Sequence, residues 1–235
     1  MANYVTDTFT DTDTTALSAH TPDVGGTWTP YSHEAVIMSN AATPLVFSNC
    51  AAFNSTTPAT DDYQVSADLS LTLPSSGNGG GVRIRDTGEF AAYVASFEIS
   101  AGQWQLTYGF ATLGTYVDSG FVDGTTRHVI LSAVGTTINV NINGVDRITV
   151  TDSSGSTGLG GFEIAGGSTT GCNLDNFSVD DVVSGPPAGT HIVTGRDNFT
   201  LDITTTFLST TITGRTVNMT AGQAEPPNYF HVGMI

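Results

Sequence analysis

The chain has 235 residues, of which 22 are acidic and six are arginine, with no lysine, for a formal net charge of −16. Such a surface repels polyanions, which argues against nucleic acid and anionic lipid as partners. The length is enough for one large β domain with a real core, or for a domain with an appendage. Only 12% of the residues are charged, so the polar surface comes mainly from Thr, Ser and Asn. No segment approaches the ~18 apolar residues of a membrane span. The N-terminal MANYVTDTFTDTDTT has neither a basic nor an apolar leader region, so no secretory signal is expected. Cys50 and Cys172 are too few for a disulfide framework; a single bridge and two buried thiols both remain open.

In chain order, Phe9 between Thr and Asp reads as a short first strand followed by an acidic turn. Asp7, Asp11 and Asp13 are spaced so that they could gather around a hard cation such as calcium, or cap a solvated turn of the Asx type. The glycine and distal glutamate of an EF-hand are missing. Trp28 and Tyr31 precede two short strands at 35–37 and 45–47. Tyr63, Val65, Ala67 and Leu69 alternate with polar residues in a strand that ends near Pro74, before the turn SSGNGGG. Val82 and Ile84 alternate with Arg83 and Arg85, which should share one face. Tyr93, Ala95, Phe97 and Ile99 follow, then Trp104, Leu106, Tyr108 and Phe110 in matching phase.

The clearest stretch is 127–152, RHVILSAVGTTINVNINGVDRITVTD. Its period-two alternation and its Asn143-Gly144 turn predict an antiparallel meander buried on one face. CNLDNFSVDDV closes the region. About a dozen short strands and no helical period predict an all-β, two-sheet antiparallel sandwich.

The order DTFTDTDTTALSAHTPDVGGTWT, DYQVSADLSL, GVRIRD, YVASFEI, WQLTYG, HVILSAVGTTINVNINGVDRITVTD and LDNFSV resembles the concanavalin A-like, laminin G-like jelly roll. It is most similar to the versions found in tailed-phage virion proteins. The resemblance spans residues 5–182 and implies that the first strand lies beside the closing LDNFSV strand. It leaves function open, because this fold carries lectins, glycanases and structural modules alike.

Residues 1–184 are therefore expected to form the sandwich, and 185–235 a Pro-Gly linker and a β-rich arm. Phe199, Ile203, Phe207, Ile212, Tyr229 and Phe230 are the apolar residues by which that arm would dock on neighbouring subunits. A strand pair folded back on the sandwich is the alternative.

Motifs for catalysis are missing. The five glutamates, Glu34, Glu89, Glu98, Glu163 and Glu225, do not form an ExDxxE cluster of the kind jelly-roll glycanases carry. Glu98 is expected to pair with Arg83 or Arg85. The histidines are scattered, no GxSxG elbow exists, and GSTGLGG lacks the lysine of a phosphate loop. For carbohydrate recognition the candidates are Arg83, Arg85 and Asp86 with Trp28, Trp104 and Tyr108, although Trp104 and Tyr108 share the phase of core residues. The expected function is a non-enzymatic structural protein at the surface of a bacteriophage particle, decorating capsid or tail. Its partners would be other virion proteins, further copies of the chain and host glycans. A stand-alone lectin-like module is the alternative.

Overall fold

The computed structural model describes residues 2–31, 33–44, 48–72, 78–167, 170–182, 191–193, 209–212 and 215–218. The chain divides into two compact units, Met1–Val182 and Val183–Ile235. The first unit is built from β1 (Asn3–Asp7), β2 (Trp28–Pro30), β3 (Ala35–Ile37), β4 (Ala42–Pro44) and β5 (Ser48–Asn54). The long strands β6 (Tyr63–Thr72), β7 (Asn78–Asp86), β8 (Tyr93–Glu98), β9 (Gln103–Tyr108) and β10 (Ala111–Val117) come next. It closes with β11 (Thr126–Val134), β12 (Thr137–Ile142), β13 (Val145–Thr151), β14 (Leu159–Gly167) and β15 (Thr170–Asp181). Among the described residues the one helical element is a 3-10 turn at Leu17–Ala19, and no helix is long and apolar enough to cross a membrane.

These strands make two antiparallel sheets packed face to face. The first runs β2-β5-β14-β7-β8-β9-β10. The second runs β15-β6-β11-β12-β13, with β1 and β4 on the free edge of β15. The hairpin of β14 and β15 joins them at one corner through the pairs Gly166↔Gly171 and Gly167↔Thr170. Alternation fills the space between. Val82, Ile84, Phe97, Trp104 and Phe162 point inward from the first sheet, and Val65, Leu69, Leu131, Val140 and Leu174 from the second, all fully buried or nearly so. Cys50 and Cys172 are both buried thiols.

The meander at 127–152 forms as its pattern predicts. Asn143 and Gly144 both take positive φ, 51° and 82°, and Ile142 pairs with Val145 across the turn. The first strand also lies beside the closing one, with Asp7 opposite Phe177. Phe9, however, is not in that strand. It sits beyond it with φ 47°, turned into the core against Trp28 and Phe162.

The second unit contains a three-stranded sheet. β16 (His191–Val193) runs parallel to β17 (Ser209–Ile212), which pairs antiparallel with β18 (Arg215–Asn218). Ile212 ends β17. The other expected docking residues, Phe199, Ile203, Phe207, Tyr229 and Phe230, and the strand expected at 45–47, lie outside the described residues.

Candidate functional site

The outer face of the first sheet is hollowed into a groove of about 620 Å³. Strand register lays down its floor. One row crosses from Ala51 on β5 to Glu163 on β14, Gly81 on β7, Ser96 on β8 and Gln105 on β9. The next row holds Arg83, Val94, Thr107 and Thr112. Gly81 is required here, because a Cβ would lie 2.0 Å from the Ala95 carbonyl oxygen. With no side chain at that position, the Glu163 carboxyl spans the gap and hydrogen-bonds to Ser96. Glu98 lies further along β8, where it accepts from the Gln105 amide and from the Ser100 hydroxyl at 3.0 Å.

Arg83 organises the wall of the groove. Its Nε donates to Asp86 at 2.7 Å, Nη1 to Glu163 at 3.3 Å, and Nη2 to the carbonyls of Glu89 at 2.8 Å and Gly88 at 3.3 Å. The guanidinium also lies over the Tyr31 ring, 5.3 Å from its centroid, and Tyr31 donates its hydroxyl to Asp86 at 2.5 Å. Burial works against the charge on Arg83, yet the Asp86 and Glu163 carboxyls outweigh it and hold the group more firmly protonated than usual. Burial likewise pushes the Glu163 carboxyl above its ordinary range, against the pull of Arg83. Burial pushes the Tyr31 phenol well up too, helped by Asp86.

Those bonds to the Gly88 and Glu89 carbonyls fix the loop between β7 and β8, and that loop carries Phe90 to the rim. Phe90 is 59% exposed and stacks on Phe110, which is 86% exposed, with ring centroids 5.0 Å apart and planes at 28°. Phe110 was expected to continue the buried series Trp104, Leu106, Tyr108. Gly109 breaks that phase with a φ of 56°, so the next side chain turns out to the groove rather than into the core. Two large apolar rings held together in solvent, at the mouth of a polar cleft, are costly unless something covers them.

Of the residues expected from the sequence to meet carbohydrate, only Arg83 lines the groove, and it is no open face: it is 2% exposed and its donors are engaged within the protein. Arg85 does not share its face. A positive φ of 52° and a register shift in β14 between Leu159 and Gly161 turn its side chain toward the end of the sandwich. There it donates to the carbonyls of Asp61 and Gly155, each at 3.0 Å. Asp86 is buried as the partner of Arg83, Tyr31 and the Gly88 amide. Trp28 is buried and donates its indole N–H to Asp7 at 2.6 Å. Trp104 is buried against Phe97 and Phe121, and half-buried Tyr108 packs on Tyr93. Glu98 does not meet an arginine; that place is taken by Glu163.

The three N-terminal aspartates do not form a donor set for calcium. Asp7 spends both oxygens inside the fold, accepting from Trp28 and from the Phe9 amide and meeting His20 at 2.9 Å. Asp11 meets the other nitrogen of His20 at 3.1 Å, while Asp13 accepts the Ser39 amide at 2.8 Å. Among the described residues no three His, Cys, Asp or Glu side chains are grouped to hold a metal.

No protein-family model matches the chain. No curated protein sequence matches it either. Solved structures do. The carbohydrate binding module CBM66 from Bacillus subtilis superposes with a TM-score of 0.56 at 14% identity, over 66% of this chain and 95% of that one. The exoplasmic/lumenal domain of VIP36, in its Ca2+/Man-bound form, gives 0.53 at 10% identity over 71% and 86%. The carbohydrate recognition domain of Emp46p, metal-free, gives 0.50 at 8% identity over 66% and 88%. The fold is the concanavalin A-like jelly roll. At these identities the likeness establishes the fold and nothing finer.

Proposed function

We propose that the sandwich at 1–182 is a non-catalytic carbohydrate-binding domain and that its ligand lies in the groove on the first sheet. The observation that carries this reading is the exposed Phe90–Phe110 stack at the mouth of a cleft floored by Glu163, Ser96, Gln105 and Thr107. A sugar ring has an apolar C–H face and a rim of hydroxyls. The stack offers cover for the first, and the acidic, amide and hydroxyl groups of the floor offer partners for the second. Three solved proteins of the same fold are described as carbohydrate-binding or as holding mannose, which is consistent with the reading.

Binding without hydrolysis fits the acids of the cleft, of which Glu98 and Glu163 form the floor and Glu89 stands on the loop. Glu163 is paired with Arg83, and Glu98 is held by Gln105 and Ser100, so neither stands free as the acid or nucleophile of a glycosidase. The test is a glycan array probed with the full chain, followed by titration of the hits. Phe90→Ala and Phe110→Ala should each weaken binding about tenfold or more while the far-ultraviolet spectrum stays unchanged. Wild-type affinity in both variants overturns this placement of the site.

The setting we propose is the surface of a bacteriophage particle, with 185–235 as the segment that joins the domain to virion proteins or to further copies of itself. What supports it is the sequence resemblance to jelly rolls of tailed-phage proteins, together with an acidic, lysine-free composition that resists non-specific contact. The mass in solution of the full chain, set against that of a chain ending at Val182, tests it. Closed oligomers of the full chain and a monomer of the shorter one support the reading. Monomers in both cases favour a lectin-like module acting alone.

A further inference from the structure

The carbohydrate reading of the groove leaves open which sugars it admits, and the charges around it decide that. Three acidic side chains line the cleft, Glu89, Glu98 and Glu163, against one permanent cation, Arg83. Recognition of a sugar carboxylate calls for a guanidinium fork or ammonium with free donors. Arg83 has no fork to offer. Its Nε serves Asp86, its Nη1 serves Glu163, its Nη2 serves two loop carbonyls, and a tyrosine ring covers one face. The chain has no lysine to substitute for it, and the net charge of −16 adds repulsion at long range. A hydroxyl, by contrast, donates to a carboxylate, and an ammonium does so with a charge in its favour.

We propose that the groove selects its ligands by charge, admitting neutral and amino sugars and rejecting glycans that carry uronic or sialic carboxylates. This inference rests on the groove being a carbohydrate site. Exclusion is set by Glu98 and Glu163 on the floor and by Glu89 on the loop. The ranking of otherwise identical ligands is then amino sugar first, neutral sugar second and acidic sugar last.

Calorimetric titration of the full chain with matched oligosaccharides tests it. Each set has one length and one linkage and differs only in unit: glucosamine, glucose or glucuronate. Several linkages are run at low salt and again at about 0.3 M salt, where exposed charges are largely screened. Expected is glucuronate binding at least about tenfold weaker than glucose, and glucosamine several-fold tighter, with both gaps narrowing in salt. Glu98→Gln and Glu89→Gln should each bring the acidic ligand closer to the neutral one, with folding checked by circular dichroism. If glucuronate oligomers bind as well as glucose oligomers or better, charge selection is overturned and the carbohydrate site stands. If no member of any set binds, the site itself is overturned along with the inference.

Discussion

The outer faces of the two sheets do different things. On the second sheet the outward side chains pair with one another across the strands. Ser66 meets Ser178 at 2.9 Å and Ser70 meets Thr126 at 2.7 Å, while Asn139 donates to Thr149 at 2.9 Å and Asn141 to Asp146 at 2.7 Å. That face is a closed ladder whose hydrogen-bonding capacity is largely used internally. On the first sheet the outer row is interrupted at Gly81 and Gly161, a loop stands up at one side, and two aromatic rings lean over the gap. A polar face becomes a site where side chains are removed from its middle and raised at its edge, not where polar residues are most numerous.

The largest effect should come from breaking what holds that edge up. Arg83→Met leaves Asp86 and Glu163 without their shared cation in a place where their side chains are 0% and 12% exposed. Loss of one partner from a buried pair costs about 3–5 kcal/mol, so the urea midpoint should fall steeply. Arg83→Lys should recover only part of this, since an ammonium cannot serve Asp86, Glu163 and two carbonyls at once. A midpoint in Arg83→Met equal to wild type would show that the loop stands without it.

Next come the rings. Phe90→Ala and Phe110→Ala remove exposed side chains, so stability should move by no more than about 0.5 kcal/mol. Glycan affinity should fall about tenfold or more for each, because a stacking surface is lost. The ladder face supplies the contrast. Ser66→Ala or Asn139→Ala should cost about 1 kcal/mol of stability and leave glycan titrations unchanged. Were the ladder variants to lose binding and the ring variants to keep it, the two faces would have to exchange roles.

The sequence made the ladder sheet readable and hid the groove, for one physical reason. Alternation predicts which face a residue takes only while the strand stays in register. From 127 to 142 it does, apart from the turn that Gly135 announces, and the core residues Val129, Leu131, Ile138 and Val140 follow directly. β13 shifts register where Asp146 and Ile148 face Asn141 and Val140, and Ile148 still reaches the core. Two of the irregularities in the groove sheet move residues off their expected face. The positive φ at Arg85 separates it from Arg83, and the one at Gly109 sends Phe110 outward. Glycine at 109 was a visible signal for the second slip. Nothing local announces the first, because an arginine rarely takes that conformation without a network to hold it, here the carbonyls of Asp61 and Gly155. Glu163 was invisible for another reason: its partner lies 80 residues away on a strand that only folding makes adjacent.

The smallest expected effect concerns the edge where the two sheets meet. Asp7 belongs to β1, on the second sheet, and accepts the indole N–H of Trp28, on the first. His20 braces that link by meeting Asp7 through Nε2 and Asp11 through Nδ1. A carboxylate only accepts, so the ring must donate from both nitrogens, which the imidazolium alone does. Burial lowers the affinity of His20 for its proton, but the two carboxylates more than compensate and its pKa lies above the usual 6.5. The folded state therefore binds this proton more tightly than the unfolded chain. Its contribution is fully present below pH 6.5 and is lost as the pH rises through the folded value. Urea midpoints measured from pH 5.5 upward should decline across that window in the wild type, by less than Arg83→Met costs, and stay flatter in His20→Gln. A wild-type profile that rises there instead would mean that His20 is neutral in the fold, and the Asp7–Trp28 link between β1 and β2 would then stand without its brace.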